Sequence, residues 1–464
     1  MERYFIHPVG GIDFAELSAV RFSAVRYLIA LALLCLSLSL DARTLVFENV
    51  RLVDVETGTL SEPLQLAVRE GFIVDAESVS EPDQVIAEAG YLIPGLAEMH
   101  AHVPPMRLGE QLVQDTLMLY LAHGITTIRG MLGEPGHLAL RQQLAAGEVI
   151  GPRFITSGPS FNANSVSSPS AARAMVRAQA EAGYDLLKLH PGLWPEAFHA
   201  IAETAEALGI DYSGHISVAV GLDRTLASRQ GSIDHLDGYG QKLVPEDHEL
   251  YGTDPGLFAV NLVAGMDPDL IPELARRTAE SGVANVPTQS LLENWATGDV
   301  DALFARDGMR WIPAQTRAQW QTAIENIRSR IPEGQGERFI EIRRALIAAL
   351  HEAGAPILLG ADAPQILSIP GDAIHHELEI YVEVGMSPGA ALATGTINVA
   401  RYLNQSAHGC LQPGCVADLV LLASNPLEDI RHTRSIQGVM RAGQWFDRER
   451  LDSELAAIAE RAGP

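Results

Sequence analysis

The sequence predicts an α/β fold, a (β/α)8 TIM-like barrel beside a small discontinuous β-sandwich built from both ends of the chain. Three observations predict it. Apolar runs rich in β-branched residues alternate eight times with helical patterns, the order that builds a parallel barrel. Alternating polar and apolar residues with turn signals fill the stretches before residue 93 and after residue 404. Histidine, lysine and aspartate recur at the ends of the apolar runs, which is where such barrels place their chemistry.

Residues 1–42 read as a signal-peptide region. Residues 27–40 (YLIALALLCLSLSL) form an apolar run of 14 residues behind Arg21 and Arg26, too short to span a bilayer comfortably. Asp41-Ala42 follows, so cleavage near Ala42 and a periplasmic or secreted destination are expected. An N-terminal membrane anchor is the alternative. The stretch before Arg21 is long for a signal peptide, which suggests a start at Val20 or Val25. Residues 43–93, with LVFENVRLVDV and turns at Glu56-Thr57-Gly58 and Arg69-Glu70-Gly71, open the sandwich. Residues 404–464 complete it, with GVMRAGQWF as a closing hairpin and then a terminal helix. Export would leave Cys410 and Cys415 in an oxidising place across a Pro413-Gly414 turn. A local disulfide and an unpaired structural pair are both open there.

The barrel is expected over residues 94–403. Its first strand is the run GYLIPGLAEM, punctuated by Pro94-Gly95 and ending in His100-Ala101-His102. Seven more strands are expected at 125–128, 153–156, 186–189, 210–215, 232–235, 283–287 and 356–360. Among the intervening helices, 195–208 places Phe198, Ile201, Ala202, Ala205 and Leu208 at helical spacing. Two long connections, 237–267 and 288–313, break the rhythm at the mouth of the active site. They carry Tyr239, Tyr251, Asn261, Asn294 and Trp295, a mixed lining suited to an amide or peptide-like ligand.

His100 and His102 leave one face of a strand end, about 7 Å apart along the backbone, so both can bind one metal ion. An isolated His-x-His is common by chance, and the remaining ligands decide. Lys188, His215, His235 and Asp362 each fall at or just past a strand end. Of the 33 cationic residues only Lys188 and Lys242 are lysine, and Lys188 sits in the apolar run DLLKLH. Desolvation makes its neutral amine accessible. Such an amine can take up carbon dioxide as a carbamate, whose two oxygens can bridge two cations. A barrel lysine paired with a carboxylate is the other reading. Singly, His215 and His235 could be core histidines and Asp362 a helix cap. Their order over strands one, four, five, six and eight is more specific than any member. His123, His351, His375 and His376 lie in or near the ends of helical segments, where structural or surface roles are expected. His190 shares the face of Lys188. His137, after strand two, and Tyr239, just past His235, are candidate substrate contacts.

The ordered set sits within a longer pattern: GYLIPGLAEMHAH, HGITTIRGM (123–131), AAGEVIGPRFITSGPSF (145–161), GSIDHLDG (231–238), ILLGADAP (357–364), ALATGTINVARYL (391–403) and CLQPGCVADLVLLASNPLEDI (410–430). This pattern resembles the metal-dependent amidohydrolase superfamily, and within it the imidazolonepropionase-like and Xaa-Pro dipeptidase (prolidase)-like branch. The resemblance covers roughly residues 44 to 445. It departs at Gly130, where relatives often carry Asp, and at the Cys410/Cys415 pair.

The resemblance implies a site. His100, His102 and Asp362 would hold one metal and His215 and His235 the other, with carbamylated Lys188 and a hydroxide bridging. Two divalent ions follow as cofactors, with carbon dioxide for Lys188; imidazole and carboxylate ligands suit Zn2+. Asp362 would be the general acid/base, taking the hydroxide proton and delivering it to the leaving nitrogen. A single-metal site needs only His100, His102, His215 and Asp362, but relatives of imidazolonepropionase type that work so lack the strand-four lysine. The expected activity is hydrolysis of C–N bonds in a small-molecule amide or dipeptide, with Xaa-Pro dipeptides and cyclic or acylated amides both open. Ester or lactone hydrolysis on the same site is the alternative. A metal-free scaffold is the non-enzymatic one, which the presence of all six ligand residues disfavours. The net charge of −25 argues against nucleic acid and anionic membrane partners. A homo-oligomer is left open.

Overall fold

The computed structural model describes residues 44–463. The expected signal-peptide region, 1–42, lies outside the described residues. Among the described residues no helix is long and apolar enough to cross a membrane.

Both ends of the chain meet in one sheet of nine strands. Thr44–Asp54 runs antiparallel to Leu64–Arg69 and parallel to Gln84–Ile86 and Gly90–Pro94. Gly90–Pro94 pairs on its other edge with Leu419–Leu422, Pro94 opposite Leu419. Ile436–Arg441 and Gln444–Asp447 follow as the expected hairpin. Period-two side chains from both ends, including Phe47, Leu66, Leu92, Leu421 and Met440, close a core of their own. The two ends are therefore hydrogen-bonded into a single sheet, not into two separate ones. Cys415 joins that core and is disulfide-bonded to Cys410.

The middle of the chain alternates strand and helix. The first expected strand is divided at Gly95: Gly90–Pro94 belongs to the small sheet, and Leu96–Ala101 starts the next. A Cβ at Gly95 would collide with the Thr126 side chain, so only glycine lets the two layers approach there. Leu96–Ala101, Ile125–Gly130 and Arg153–Thr156 make a parallel sheet of three. Leu186–Leu189, Asp211–Gly214, Ser232–Asp234 and Ala284–Val286 make a parallel sheet of four. Isolated bridges run between them, Ser157 with Leu186 and Phe161 with Leu189.

The eighth strand expected at 356–360 is not a strand. Ile357 makes one bridge to Asn285. Beyond it, Met99 and His102 donate their N–H groups to the Leu359 and Ala363 carbonyls, and Asp362 donates to His100. Asp362 stands at φ +59°, and Ala363 just beyond it still bridges to Ala101.

The helix Pro195–Leu208 forms over the expected residues, with proline in its first turn and left-handed Gly209 as its cap. Phe198, Ile201, Ala202 and Ala205 are its buried face. The second long connection is mostly helical, and the first holds two short helical pieces within irregular chain. Tyr239–Lys242 and Leu257–Gly265 occupy the first, and Gln289–Ala296, Val300–Phe304 and Asp307–Trp311 the second. Trp295, expected as lining, is buried, and its Nε1 donates to the Ile366 carbonyl.

Candidate metal centre

Four strand ends and the turn at Asp362 bring the six expected side chains together. Asp362 Oδ1 lies 2.6 Å from His102 Nε2 and 3.5 Å from His100 Nε2. Its Oδ2 lies 3.9 Å from His235 Nε2. The His235 ring sits 4.5 Å from that of His100 and 4.6 Å from that of His215, centroid to centroid. Lys188 Nζ is 3.4 Å from His100 Nε2. His100, His235 and Lys188 are almost fully buried, whereas His102 is 18 % exposed. His235 (φ +61°) and Asp362 (φ +59°) both stand on left-handed backbone, a conformation that non-glycine residues keep only where the surroundings enforce it.

Two imidazoles are fixed from behind, and a third has a carboxylate beside it. His215 Nδ1 meets Asp237 Oδ2 at 2.8 Å, and His235 Nδ1 meets Thr288 Oγ1 at 2.8 Å. His100 Nδ1 lies 2.8 Å from Asp234 Oδ2, off the hydrogen-bonding direction. Holding one ring nitrogen in this way turns the other toward the centre, as in metal sites generally. Burial first, then the neighbouring cations and imidazoles, push His100 and His235 far below the ordinary histidine range. That direction favours neutral rings, whose lone pairs can bind a cation. Burial likewise lowers the Lys188 ammonium, against the opposing pull of Asp234 at 3.4 Å. His190 stacks on His215 at 5.0 Å, and burial drives it down to about 3.

His100, His102 and Asp362 offer donor atoms within 4.8 Å of one another. Nitrogen and carboxylate oxygen converging on one point fit a divalent transition metal. Asp234, Asp237 and Thr288 were not anticipated. The signal was present, since two aspartates bracket His235 in SIDHLDG and a buried strand tolerates an acid only when it has partners. Asp234 has several: Lys188, the Ser232 hydroxyl, and Arg129 at 3.6 Å.

Two expected substrate contacts are placed otherwise. Tyr239 is fully buried, its hydroxyl engaged by Thr278 at 2.9 Å and Asn285 at 3.0 Å. That hydroxyl serves packing, because both hydrogen-bonding directions are taken up by the scaffold. His137 is buried against Phe154, with Nε2 3.4 Å from the Pro104 carbonyl. His123 and His375 are tied to the Leu119 carbonyl and to Thr433.

The sequence pattern of the amidohydrolase family matches residues 91–446. The chain belongs to the amidohydrolase family. This amidohydrolase is a hydrolase acting on carbon–nitrogen bonds, in a family that generally uses divalent metals. Among solved structures it is similar to a bottromycin amidohydrolase, with a TM-score of 0.70, 24 % identity and 91 % of each chain covered. A Xaa-Pro dipeptidase with methionine bound in its active site gives a TM-score of 0.62 at 19 % identity, covering 87 % of this chain and 100 % of that one. The ochratoxinase of A. niger gives 0.62 at 17 % identity, covering 88 % of this chain and 96 % of that one. At these identities the likeness speaks to the fold. No curated protein matches the sequence.

Proposed function

We propose that this amidohydrolase cleaves small amide or dipeptide-like substrates at a dinuclear metal centre set in a closed (β/α)8 barrel. The observation that carries the reading is the position of Asp362, whose carboxylate faces His100, His102 and His235 within 3.9 Å. His100, His102 and Asp362 would hold one metal, His215 and His235 the second, with Lys188 between. Divalent metal bound there would polarise the scissile carbonyl and acidify a water. Asp362 is placed to hold the proton released and hand it to the leaving nitrogen. Asp237 and Thr288 keep the His215 and His235 rings in register for that chemistry. Carbamylation of Lys188 forms a bond from Nζ to the carbon of carbon dioxide and releases the amine proton. The burial that disfavours the ammonium favours this step. The bridges of Asn285 with Ile357 and Ala101 with Ala363 support barrel closure.

One observation favours a second reading. Lys188 Nζ stands 3.4 Å from Asp234 Oδ2, the arrangement of a structural ion pair beside a single metal. Lys188→Ala separates the two. The dinuclear centre requires loss of one of two bound metals and of turnover, partly restored by a short carboxylic acid. Unchanged metal content and activity would sink it. Substrate class is tested with metal-loaded protein on a library of Xaa-Pro and other dipeptides, N-acyl amino acids, esters and lactones. Turnover of the esters or lactones alone would replace the amide reading.

Export is part of the same proposal. The Cys410–Cys415 bond supports it, since such bonds persist in oxidising compartments. A mature N-terminus near residue 43 in the extracytoplasmic fraction is the expected result, and an intact N-terminus in the cytosol argues against it.

A further inference from the structure

A cavity of about 490 Å³ opens beside the centre, with Leu112, Leu132, Trp311, Trp320, Pro364 and Ile458 among its walls. Of the metal-candidate side chains only His102 lines it. His102 is also the most exposed imidazole of the centre, at 18 %, against 1 % for His100 and His235 and 12 % for His215. The cavity is therefore a route by which a ligand can meet the centre. Its size falls among cavities that enclose drug-sized ligands, well beyond one small side chain.

The charged groups on its wall are already engaged. Arg461 grips Asp115 with two bonds, NH2 to Oδ1 at 2.6 Å and Nε to Oδ2 at 3.1 Å. Glu134 accepts the Met106 N–H at 2.7 Å. These bonds commit much of the wall's charge to the protein itself, which favours an uncharged guest over a charged one. Apolar carbon is offered instead. Leu108 and Leu132, both among the lining residues, are 54 % and 47 % exposed, which is surface that a bound apolar group would cover. One wall comes from the C-terminal helix Arg448–Ala462, through Ile458, Arg461 and Ala462.

We infer that this cavity is a specificity pocket that receives a bulky, uncharged apolar group, of aromatic size or larger, carried on one flank of the scissile amide. The inference rests on the amide-hydrolase reading and narrows it: a substrate with only small groups leaves most of the pocket unfilled.

Metal-loaded full-length protein is assayed with two amide series, one varied on the acyl side and one on the amine side, each from methyl to biphenyl. The expected result is a rise in kcat/KM of at least about tenfold with size in one series. Leu112→Trp, which fills the cavity, should remove most of that rise, and so should Leu132→Trp at the exposed rim if the first variant folds poorly. Flat series, or variants that keep the full size preference, overturn the pocket. Calorimetry separates this failure from failure of the amidohydrolase reading. If no amide is turned over, biphenyl-4-carboxylate binding at least tenfold tighter than acetate, and weakened by Leu112→Trp, still supports the pocket. Equal binding of the two acids overturns it.

Discussion

Two of the side chains that meet at the centre, His235 and Asp362, hang from left-handed backbone, so their aim is set by the chain path as much as by their rotamers. Asp362 is the sharper test, because the reading gives it both metal and proton. Asp362→Asn keeps the shape and an oxygen ligand but cannot take up a proton. Its kcat should fall by about 10²–10⁴ while most metal remains bound; kinetics paired with metal analysis checks this, and wild-type turnover would send the acid/base role elsewhere. Asp237→Ala should loosen His215 and cost roughly 10–100-fold in metal affinity or activity, measured by competition with a chelator. The six candidate residues were legible because each combines a reactive residue type with the end of an apolar run. Asp234 and Asp237 left a weaker signal, two acids on either side of His235 in SIDHLDG, with no periodicity of its own. The Tyr239 hydroxyl turns into the scaffold where the chain enters a short helix, a direction that adjacency to His235 in sequence does not reveal.

At the scale of elements, the helix Gln289–Ala296 begins in the buried interior, where its first N–H groups need an acceptor. Glu377, from the helix Asp372–Glu383, supplies both oxygens, at 2.9 Å to the Gln289 N–H and 2.7 Å to the Ser290 N–H. Burial raises its carboxyl to about 7, against the opposing pull of those two donors. The unfolded chain gives up this proton near the ordinary value of about 4.3. Stability should therefore fall as pH rises from about 4.3 to 7, by roughly 4 kcal/mol from this group, and level off above. Glu377→Gln should flatten that part of a Tm-against-pH curve; an unchanged slope would remove Glu377 as its source. Seven of the eight expected strands formed because apolar runs of four to six residues between helical patterns admit little else. The eighth is reduced to isolated bridges, Ile357 with Asn285 and Ala363 with Ala101. The long connections looked like loops because short helical pieces carry too few turns to show a period.

The whole molecule is closed by a sheet that neither end can build alone. Leu419–Leu422 lies against Gly90–Pro94 with the entire strand–helix region between them in sequence. Composition could indicate two β-rich ends, but not that they share one sheet, because register is set by partners more than 300 residues away. The Cys410–Cys415 bond spans only 5 positions, so its loop-closure effect is small. Replacing both with serine should cost about 2 kcal/mol, read as a lower Tm with unchanged catalysis; a loss of metal centre activity would show that the small sheet and the centre are coupled.

The helix Arg448–Ala462 has a practical meaning beyond closing that sheet. The Gly463 carbonyl is held by Arg317 at 3.0 Å, and Ala462 stands on the cavity wall. Ile458, Arg461 and Ala462 thus set the last turn of this helix at the edge of the proposed pocket. A purification handle placed there would compete for the same space, and assays on such a protein would measure the handle as well as the enzyme.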